Sequence, residues 1–412
     1  MLKNPSLDVL RIPNFRNLLA ARSFFSMTIT SLGTIIAWQV YSLTKEPFMV
    51  GLLGLVEAVP AIAGALYAGH IVDTGRPLTI FRLGLLLLLA NTLIFLLYGG
   101  GLIDVTKNHL VIILFAATFA SGLVRSLFPP SSFALLSQIV ARAQLPQASA
   151  WNTSGFRLAS ICGPAVAGFI YAQYDAAGAW YLPVVLTGLS FLFALNVRLP
   201  PHPKAPIHQE TALKSIRAGL HFITTHPVMM SMMTLDMFAV LLGGATAMLP
   251  AFADRVLHTG AESLGLLRAA PAAGALVTAL IMAVSQIKIL SGRRLLYAVA
   301  GFGLCMIGFG MSTTLPSAMI FLALSGVFDS ISVNFRSTMM QILTPDTMRG
   351  RVSSINSMFI ISSNEIGEFE SGLTAHLMGL IPSIVAGGVG SLLVVAAVAV
   401  MSPTFRKTVI KV

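Results

Sequence analysis

The sequence predicts an all-α integral membrane protein with twelve transmembrane helices in two pseudo-symmetric six-helix bundles. Three observations lead to this prediction. Hydrophobic residues make up 56% of the 412 residues and charged residues only 10%; the apolar residues form segments long enough to cross a bilayer; and one polar stretch lies almost midway. Globular proteins carry roughly 25% charged residues, so this chain has too few polar side chains to cover a surface that faces water. Most of its surface is therefore expected to face lipid.

The apolar segments define the expected spans. A bilayer core of about 30 Å takes roughly 20 helical residues, because each backbone polar group must be satisfied within its own segment. The expected spans are residues 16–43, 48–73, 78–100, 109–139, 149–172, 178–197, 227–252, 262–286, 293–313, 316–342, 353–379 and 382–402.

The polar stretch divides the chain into two halves. We predict an N-terminal bundle at residues 1–198, a cytoplasmic linker at 199–226 and a C-terminal bundle at 227–412. Within the linker, ALKSIRAGLHFI spaces its apolar residues at helical intervals, which predicts an amphipathic helix on the membrane surface.

The basic residues indicate orientation rather than nucleic-acid binding. The formal net charge is +11, but Lys and Arg lie in short clusters between apolar segments, not in a basic domain. Placing both termini in the cytoplasm puts nearly all of these clusters on the inner side, as the positive-inside rule requires. We therefore expect cytoplasmic termini, the bilayer as a partner, and no nucleic acid.

Other classes of protein lack support in the sequence. Cys162 and Cys305 lie far apart inside apolar segments, so neither a disulfide framework nor a metal site is expected. No G-x-S-x-G, H-E-x-x-H or phosphate-binding Gly-Lys loop occurs, so we expect no enzyme, no cofactor and no nucleotide-driven pump. A membrane-embedded lipid-modifying enzyme remains the weaker alternative.

The two halves resemble each other, as they do in many transporters. GLVRSLFPPSSFALLSQIV, from residue 122, and GVFDSISVNFRSTMMQIL, from residue 326, both begin with Gly, carry a mid-span charge at the fourth residue (Arg125 and Asp329) and close with Gln-Ile before a last apolar residue. Internal repeats of this kind predict two related bundles that move about a central site.

Charged residues inside the expected spans are the candidate functional residues. Each costs several kcal/mol in lipid, so each is expected to face the bundle interior. Arg268 and Glu370 are also intramembrane charges but are not part of the predicted site. The residues predicted for proton coupling or substrate binding are Glu57, Arg125, Arg157, Asp236, Asp329, Arg336, Asn364, Glu365 and Glu368.

The acidic cluster near residue 365 predicts proton binding. Glu365 and Glu368 are three residues apart and therefore share one helix face. Two carboxylates this close do not both stay ionised in an apolar environment, so the pair should titrate as a unit and hold at least one proton near neutral pH. With Glu57, they are expected to bind the transported proton or a cationic group of the substrate. The alternative is a set of structural ion pairs with the intramembrane arginines.

Two short motifs resemble those of the major facilitator superfamily. AGHIVDTGRPLTIFR resembles the superfamily's motif A through Gly69, Asp73 and Arg76, and ICGPAVAGFI resembles its motif C through Gly163, Pro164 and Gly168. The resemblance implies that motif A is a gating latch at the cytoplasmic mouth. Motif C implies an exporter that works as an antiporter, although ordinary helix packing would also explain its Gly and Pro residues.

The second half of the chain is similar to one branch of that superfamily. LPAFADRVLHTGAESLGLLRAAPAAGA and MQILTPDTMRGRVSSINSMF look like the branch that contains the enterobactin and macrolide exporters, whereas SSNEIGEFESG departs from the enterobactin exporter, which has no such acidic cluster. The resemblance implies a monomer in the bacterial inner membrane that exports a small amphipathic molecule, a siderophore or a drug-like compound, in exchange for protons by alternating access. An importer of a small metabolite is the main alternative.

Overall fold

A computed structural model of the chain describes residues 8–74, 76–99, 106–199, 212–284, 289–345 and 348–411. Nearly all of these residues are helical, which confirms the predicted all-α membrane class. The chain divides into two compact units. Unit 1 comprises Met1–Leu43 and Val59–Gln209, and unit 2 comprises Thr44–Ala58 and Glu210–Val412. The domain limits expected from the sequence stay a prediction, and the short piece Thr44–Ala58 was not expected in the second unit.

The helices of the N-terminal half follow the expected spans. They are α1 (Pro13–Thr44), α2 (Pro47–Thr74), α3 (Pro77–Gly99), α4 (Lys107–Ile139), α5 (Leu145–Ala179) and α6 (Tyr181–Leu195). The division into units falls within α2, so its first half belongs to unit 2 and its second half to unit 1.

Polar contacts join the two ends of this helix series. The side chain of Asn14, at the start of α1, donates to the Arg198 carbonyl at 2.7 Å and accepts from the Arg198 N–H at 3.0 Å. The Arg82 guanidinium, at the start of α3, donates to the carbonyls of Ala194 and Val197 at the end of α6. Carbonyl groups at a helix C-terminus lack the full set of intrahelical partners, and a cation there is also favoured by the helix dipole. The beginning of α1 and the end of α6 therefore lie at the same end of unit 1, as six crossings require.

The helices of the C-terminal half are α7 (Ala212–Thr225), α8 (Pro227–Gly243), α9 (Leu249–Arg255), α10 (Ala261–Val284), α11 (Gly292–Gly310), α12 (Leu315–Leu343), α13 (Arg349–Met378), α14 (Leu380–Met401) and α15 (Pro403–Lys407). The hydroxyls of Ser231 in α8 and Ser402 after α14 lie 2.6 Å apart, so this series also begins and ends at one end of its unit. The helix expected within the linker is α7, where Ile223 is buried and Leu220 is exposed.

A small antiparallel ribbon, absent from the sequence prediction, joins two ends of the second half. Strand β1 (Ile289–Ser291) pairs with β2 (Val409–Lys411) in the register Ile289↔Lys411 and Ser291↔Val409. It fastens the C-terminal segment to the beginning of α11.

Ten helical segments in the described residues are long and apolar enough to cross a membrane. The two other expected spans correspond to α6, which has 15 residues, and α13, which has 30. Helix α13 is long enough but unusually polar, because it carries Glu365, Glu368 and Glu370. The least apolar of the expected spans is thus the one that holds the acidic cluster.

Candidate functional site

Three charged residues from three helices lie close enough in unit 2 to interact electrostatically. Arg268 of α10 interacts electrostatically with the carboxylates of Glu368 in α13 and Glu57 in α2. Its Nε atom is shielded from solvent and has no hydrogen-bond partner among the described residues. We call Arg268, Glu57 and Glu368 the Arg268 cluster. One guanidinium is therefore attracted to two carboxylates.

Glu365 adds a further carboxylate one helical turn from the cluster. Its side chain is 6% exposed, and it lies on the face of α13 that carries Glu368, as the spacing predicts. Glu365 and Glu368 both make further interactions. Neighbouring Asn364 is exposed, so the predicted hydrogen-bonding neighbour of these acids turns to another face.

Glycines bring Glu57 to this cluster. A Cβ atom added at Gly54 would lie 2.8 Å from Glu368 Cβ and 2.9 Å from the Glu365 carbonyl oxygen, and one at Gly51 would lie 2.9 Å from Gly372 Cα. Any larger residue at these positions would push the first half of α2 away from α13. Small residues allow such close helix contacts in membranes, so Gly51, Gly54 and Gly372 set the distance at which Glu57 can act on Arg268.

Sequence reasoning missed Arg268 as a site residue, although a signal was present. In GLLGLVE, Gly51, Gly54 and Glu57 recur every three residues and so lie along one helix face. A charged residue that continues a glycine stripe is expected to face the helix on which that stripe packs. The neighbouring helix is α13. Arg268, whose positive charge interacts with Glu368 of α13, lies on α10.

A second pair of predicted residues forms an ion pair of its own. Asp236 of α8 and Arg336 of α12 meet through Oδ1 and Nη1, and their side chains are only 12% and 4% exposed. Buried methionines, among them Met232, Met233 and Met339, belong to the apolar core on the same two helices. This pair fits the structural alternative that the sequence left open.

The remaining predicted charges lie apart from one another along the chain. Arg125 in α4 and Arg157 in α5 belong to unit 1 and are half-buried. Arg125 makes contacts, while Arg157 Nε is shielded and lacks a hydrogen-bond partner among the described residues. Asp329 in α12 is half-buried and also makes contacts. Their roles in coupling or substrate binding stay predictions.

The motif A residues are only partly covered by the structure. Gly69 and Asp73 lie in the last turns of α2, but their surroundings fall outside the described side chains, and Arg76 is exposed immediately before α3. The predicted gating role stays a prediction.

The motif C residues pack α5 closely against α1. Gly163, Pro164 and Gly168 are buried. A Cβ at Gly163 would collide with Thr30 Oγ1 and lie 3.0 Å from the Met27 carbonyl oxygen, and the Thr30 hydroxyl donates to the Ala159 carbonyl at 3.2 Å. The glycine at this position is therefore required by helix packing, whatever further role it has.

Replacing Gly163 by Ala should lower stability by about 1–3 kcal/mol, because the added methyl group overpacks a filled contact. The measurement is thermal unfolding of the purified protein in detergent. Gly188→Ala on α6 is the matched control, since nothing lies within 4 Å of its added Cβ. Equal melting temperatures for the two variants would contradict the packing role of Gly163.

The described residues contain no group of three or more His, Cys, Asp or Glu that could hold a metal ion. Cys162 and Cys305 are both free thiols.

Comparisons with known proteins identify relatives over nearly the whole chain. The profile of a family described as "Transmembrane secretion effector" matches residues 5–408. The enterobactin exporter EntS of Escherichia coli O1:K1 / APEC is 26% identical over 387 residues, covering 93% of this chain and 90% of that protein. The enterobactin exporter EntS of Shigella boydii serotype 4 has the same identity and coverage.

Solved transporter structures share the fold. The peptide transporter POT in complex with sulfate superposes with a TM-score of 0.73 at 12% identity, covering 96% of this chain and 95% of that one. The nucleoside transporter NupG gives a TM-score of 0.67 at 14% identity, covering 94% and 99%. At these identities the likeness concerns the fold alone.

Proposed function

The chain belongs to the transmembrane secretion effector family of the major facilitator superfamily and is an exporter of small molecules; from this premise we propose that it exports an amphipathic compound in exchange for protons. The observation that supports this proposal is the Arg268 cluster, in which Glu57 and Glu368 both act on one guanidinium. The proposal includes the bacterial inner membrane as location, both termini in the cytoplasm, a monomeric state and no catalytic activity.

The charge count of the cluster supports proton binding. Two ionised carboxylates around one guanidinium leave an excess negative charge, which is costly in a low-dielectric interior. A single proton on Glu368 makes the cluster neutral. In our proposal this proton is the coupling ion, and Glu365 extends the site because it lies one turn away on the same face.

Helix α2 supplies a route from proton binding to conformational change. Glu57 lies in the half of α2 that belongs to unit 2, while the rest of α2 belongs to unit 1. When Glu368 releases its proton, its negative charge repels Glu57 and competes with it for Arg268, so this half of α2 is held less firmly near α13. We propose that the first half of α2 then separates from α13 at the glycine contact, which is one step of alternating access.

The relatives suggest a class of cargo. They are named as enterobactin exporters, so a siderophore is the first candidate and a drug-like amphipathic compound such as a macrolide is the second. Glu365 and Glu368 additionally favour a cargo with a cationic group. We propose that Arg125, Arg157, Asp329 and Asn364 contribute to cargo binding, and that Gly69, Asp73 and Arg76 contribute to gating.

Transport into inside-out membrane vesicles tests this function. An acidic interior should drive accumulation of enterobactin, or of a macrolide in a parallel assay, above its external concentration, because protons leaving the vesicle exchange for cargo. A protonophore should abolish the accumulation. An importer on the same fold predicts no accumulation, and equilibration without concentration would contradict proton coupling.

A further inference from the structure

A groove of about 430 Å³ opens on unit 2 at the end where α11 begins and α14 ends. None of its lining residues belongs to α13, which carries the acidic residues. Two arginines, one tyrosine and several aliphatic residues line the groove. Its main lining residues are Arg293, Arg406, Tyr297, Leu296, Val395 and Ala399.

Both arginines are available to a ligand. Arg293 and Arg406 are exposed, and within the described ranges neither forms an ion pair with a carboxylate. The adjacent Arg294 differs, because its Nη1 donates to the Ile289 carbonyl at 2.9 Å and so supports β1. Two unpaired guanidiniums at one groove create a positive site that favours a phosphate group.

The fold fixes the two arginines beside each other, although they are more than a hundred residues apart in sequence. A Cβ at Gly292 would collide with the Phe405 carbonyl, so the neighbours of both arginines are in backbone contact. Phe405 is fully buried, and the Gly292 N–H donates to the Thr408 carbonyl at 3.1 Å. With the ribbon β1–β2, these contacts hold Arg406 at the start of α11.

Polarity changes in the order of a phospholipid along α11 and α14, the two helices that supply most of the groove. Arg293 lies in the first turn of α11, Tyr297 one turn further and 67% exposed, and Leu304 two turns beyond that and 58% exposed. The eleven residue-to-residue steps from Arg293 to Leu304 rise about 16 Å, close to half of a roughly 30 Å hydrocarbon core. Leu393 and Val400 on α14 are likewise exposed and aliphatic. The order of guanidinium, aromatic ring and aliphatic surface matches headgroup, interface and acyl chain.

We propose that this groove binds an anionic phospholipid, with its phosphate between Arg293 and Arg406 and an acyl chain along Leu296, Val395 and Ala399. A neutral phospholipid offers no net negative charge to two arginines, whereas basic pockets between transmembrane helices suit anionic headgroups. With cytoplasmic termini, the site faces the inner leaflet.

Lipid binding to the delipidated full-length protein tests the proposal, with cardiolipin as the probe and phosphatidylcholine as the neutral lipid. Native mass spectrometry in neutral detergent should show cardiolipin retained by the wild-type protein. The double variant Arg293→Gln/Arg406→Gln should bind cardiolipin about tenfold or more weakly, since each basic residue contributes about one kcal/mol of attraction. Lys407→Gln removes the same charge from α15 outside the groove and should bind as the wild type does.

A second variant separates a lipid from a free anion. Ala399→Phe fills the aliphatic part of the groove and leaves both arginines, so it should also lose cardiolipin while its melting temperature in phosphatidylcholine stays close to that of the wild type. Unchanged cardiolipin binding in either groove variant, equal binding of phosphatidylcholine, or displacement of cardiolipin by millimolar inorganic phosphate would each overturn the assignment.

Discussion

Replacing Glu368 by Gln should reduce proton-driven accumulation of cargo to the level of vesicles that lack the protein. Gln keeps the size and hydrogen-bonding capacity of Glu but can neither release a proton nor balance the charge of Arg268. The Arg268 cluster would then be fixed in one charge state. Glu365→Gln should have the same effect, because the two acids share a face of α13 and are expected to titrate together. The measurement is uptake of enterobactin or a macrolide under an imposed pH gradient.

Two further measurements make this prediction specific. Glu370→Gln removes the same charge from α13 on another face, and it should leave the accumulation close to that of the wild type. Counterflow of cargo without a pH gradient should persist in the Glu368→Gln variant, because the binding site and the fold remain. If the Glu365 and Glu368 variants both accumulated cargo as the wild type does, neither residue would belong to the coupling mechanism.

Helix positions were predictable because lipid imposes one strong constraint on sequence. The span expected at 316–342 is α12, Leu315–Leu343, and that at 382–402 is α14, Leu380–Met401. Inside a bilayer the backbone N–H and C=O groups must be hydrogen-bonded within the helix. A transmembrane helix therefore continues as long as its sequence is apolar and ends near the next polar residues. The ribbon β1–β2 has strands of only three residues, and its pairing depends on the contact between Gly292 and Phe405, which no local pattern reveals.

The sequence predicted which charged residues form the site better than it predicted which of them interact with one another. Intramembrane charge pointed to Glu57, Glu365 and Glu368, because unneeded charges in lipid are too costly. It could not show that Arg268 joins Glu57 to Glu368, nor that Arg336 pairs with Asp236. Partner choice depends on helix contacts far apart in sequence, and in the first case those contacts depend on glycines.

The Asp236–Arg336 pair should behave as a structural element. Removing one partner, by Asp236→Leu or Arg336→Met, should lower the free energy of unfolding by about 3–5 kcal/mol, since the other charge is left buried without compensation. The double variant should recover most of the loss, because two apolar side chains of similar volume suit the methionine-rich surroundings. Unfolding of the purified protein in detergent, followed for the four members of this cycle, measures the coupling between the two sites.

The exposed pair Lys45–Asp254 provides the matched control. Lys45 Nζ and Asp254 Oδ2 lie 3.0 Å apart, but the two side chains are 60% and 34% exposed. Lys45→Met should therefore lower the free energy of unfolding by less than about 1 kcal/mol. A similarly small loss on breaking Asp236–Arg336 would show that burial does not decide its contribution. Transport by the stable double variant then separates the two roles. Wild-type accumulation would assign the pair to the fold, whereas loss of proton-driven accumulation with intact stability would place Asp236 among the proton-coupling residues.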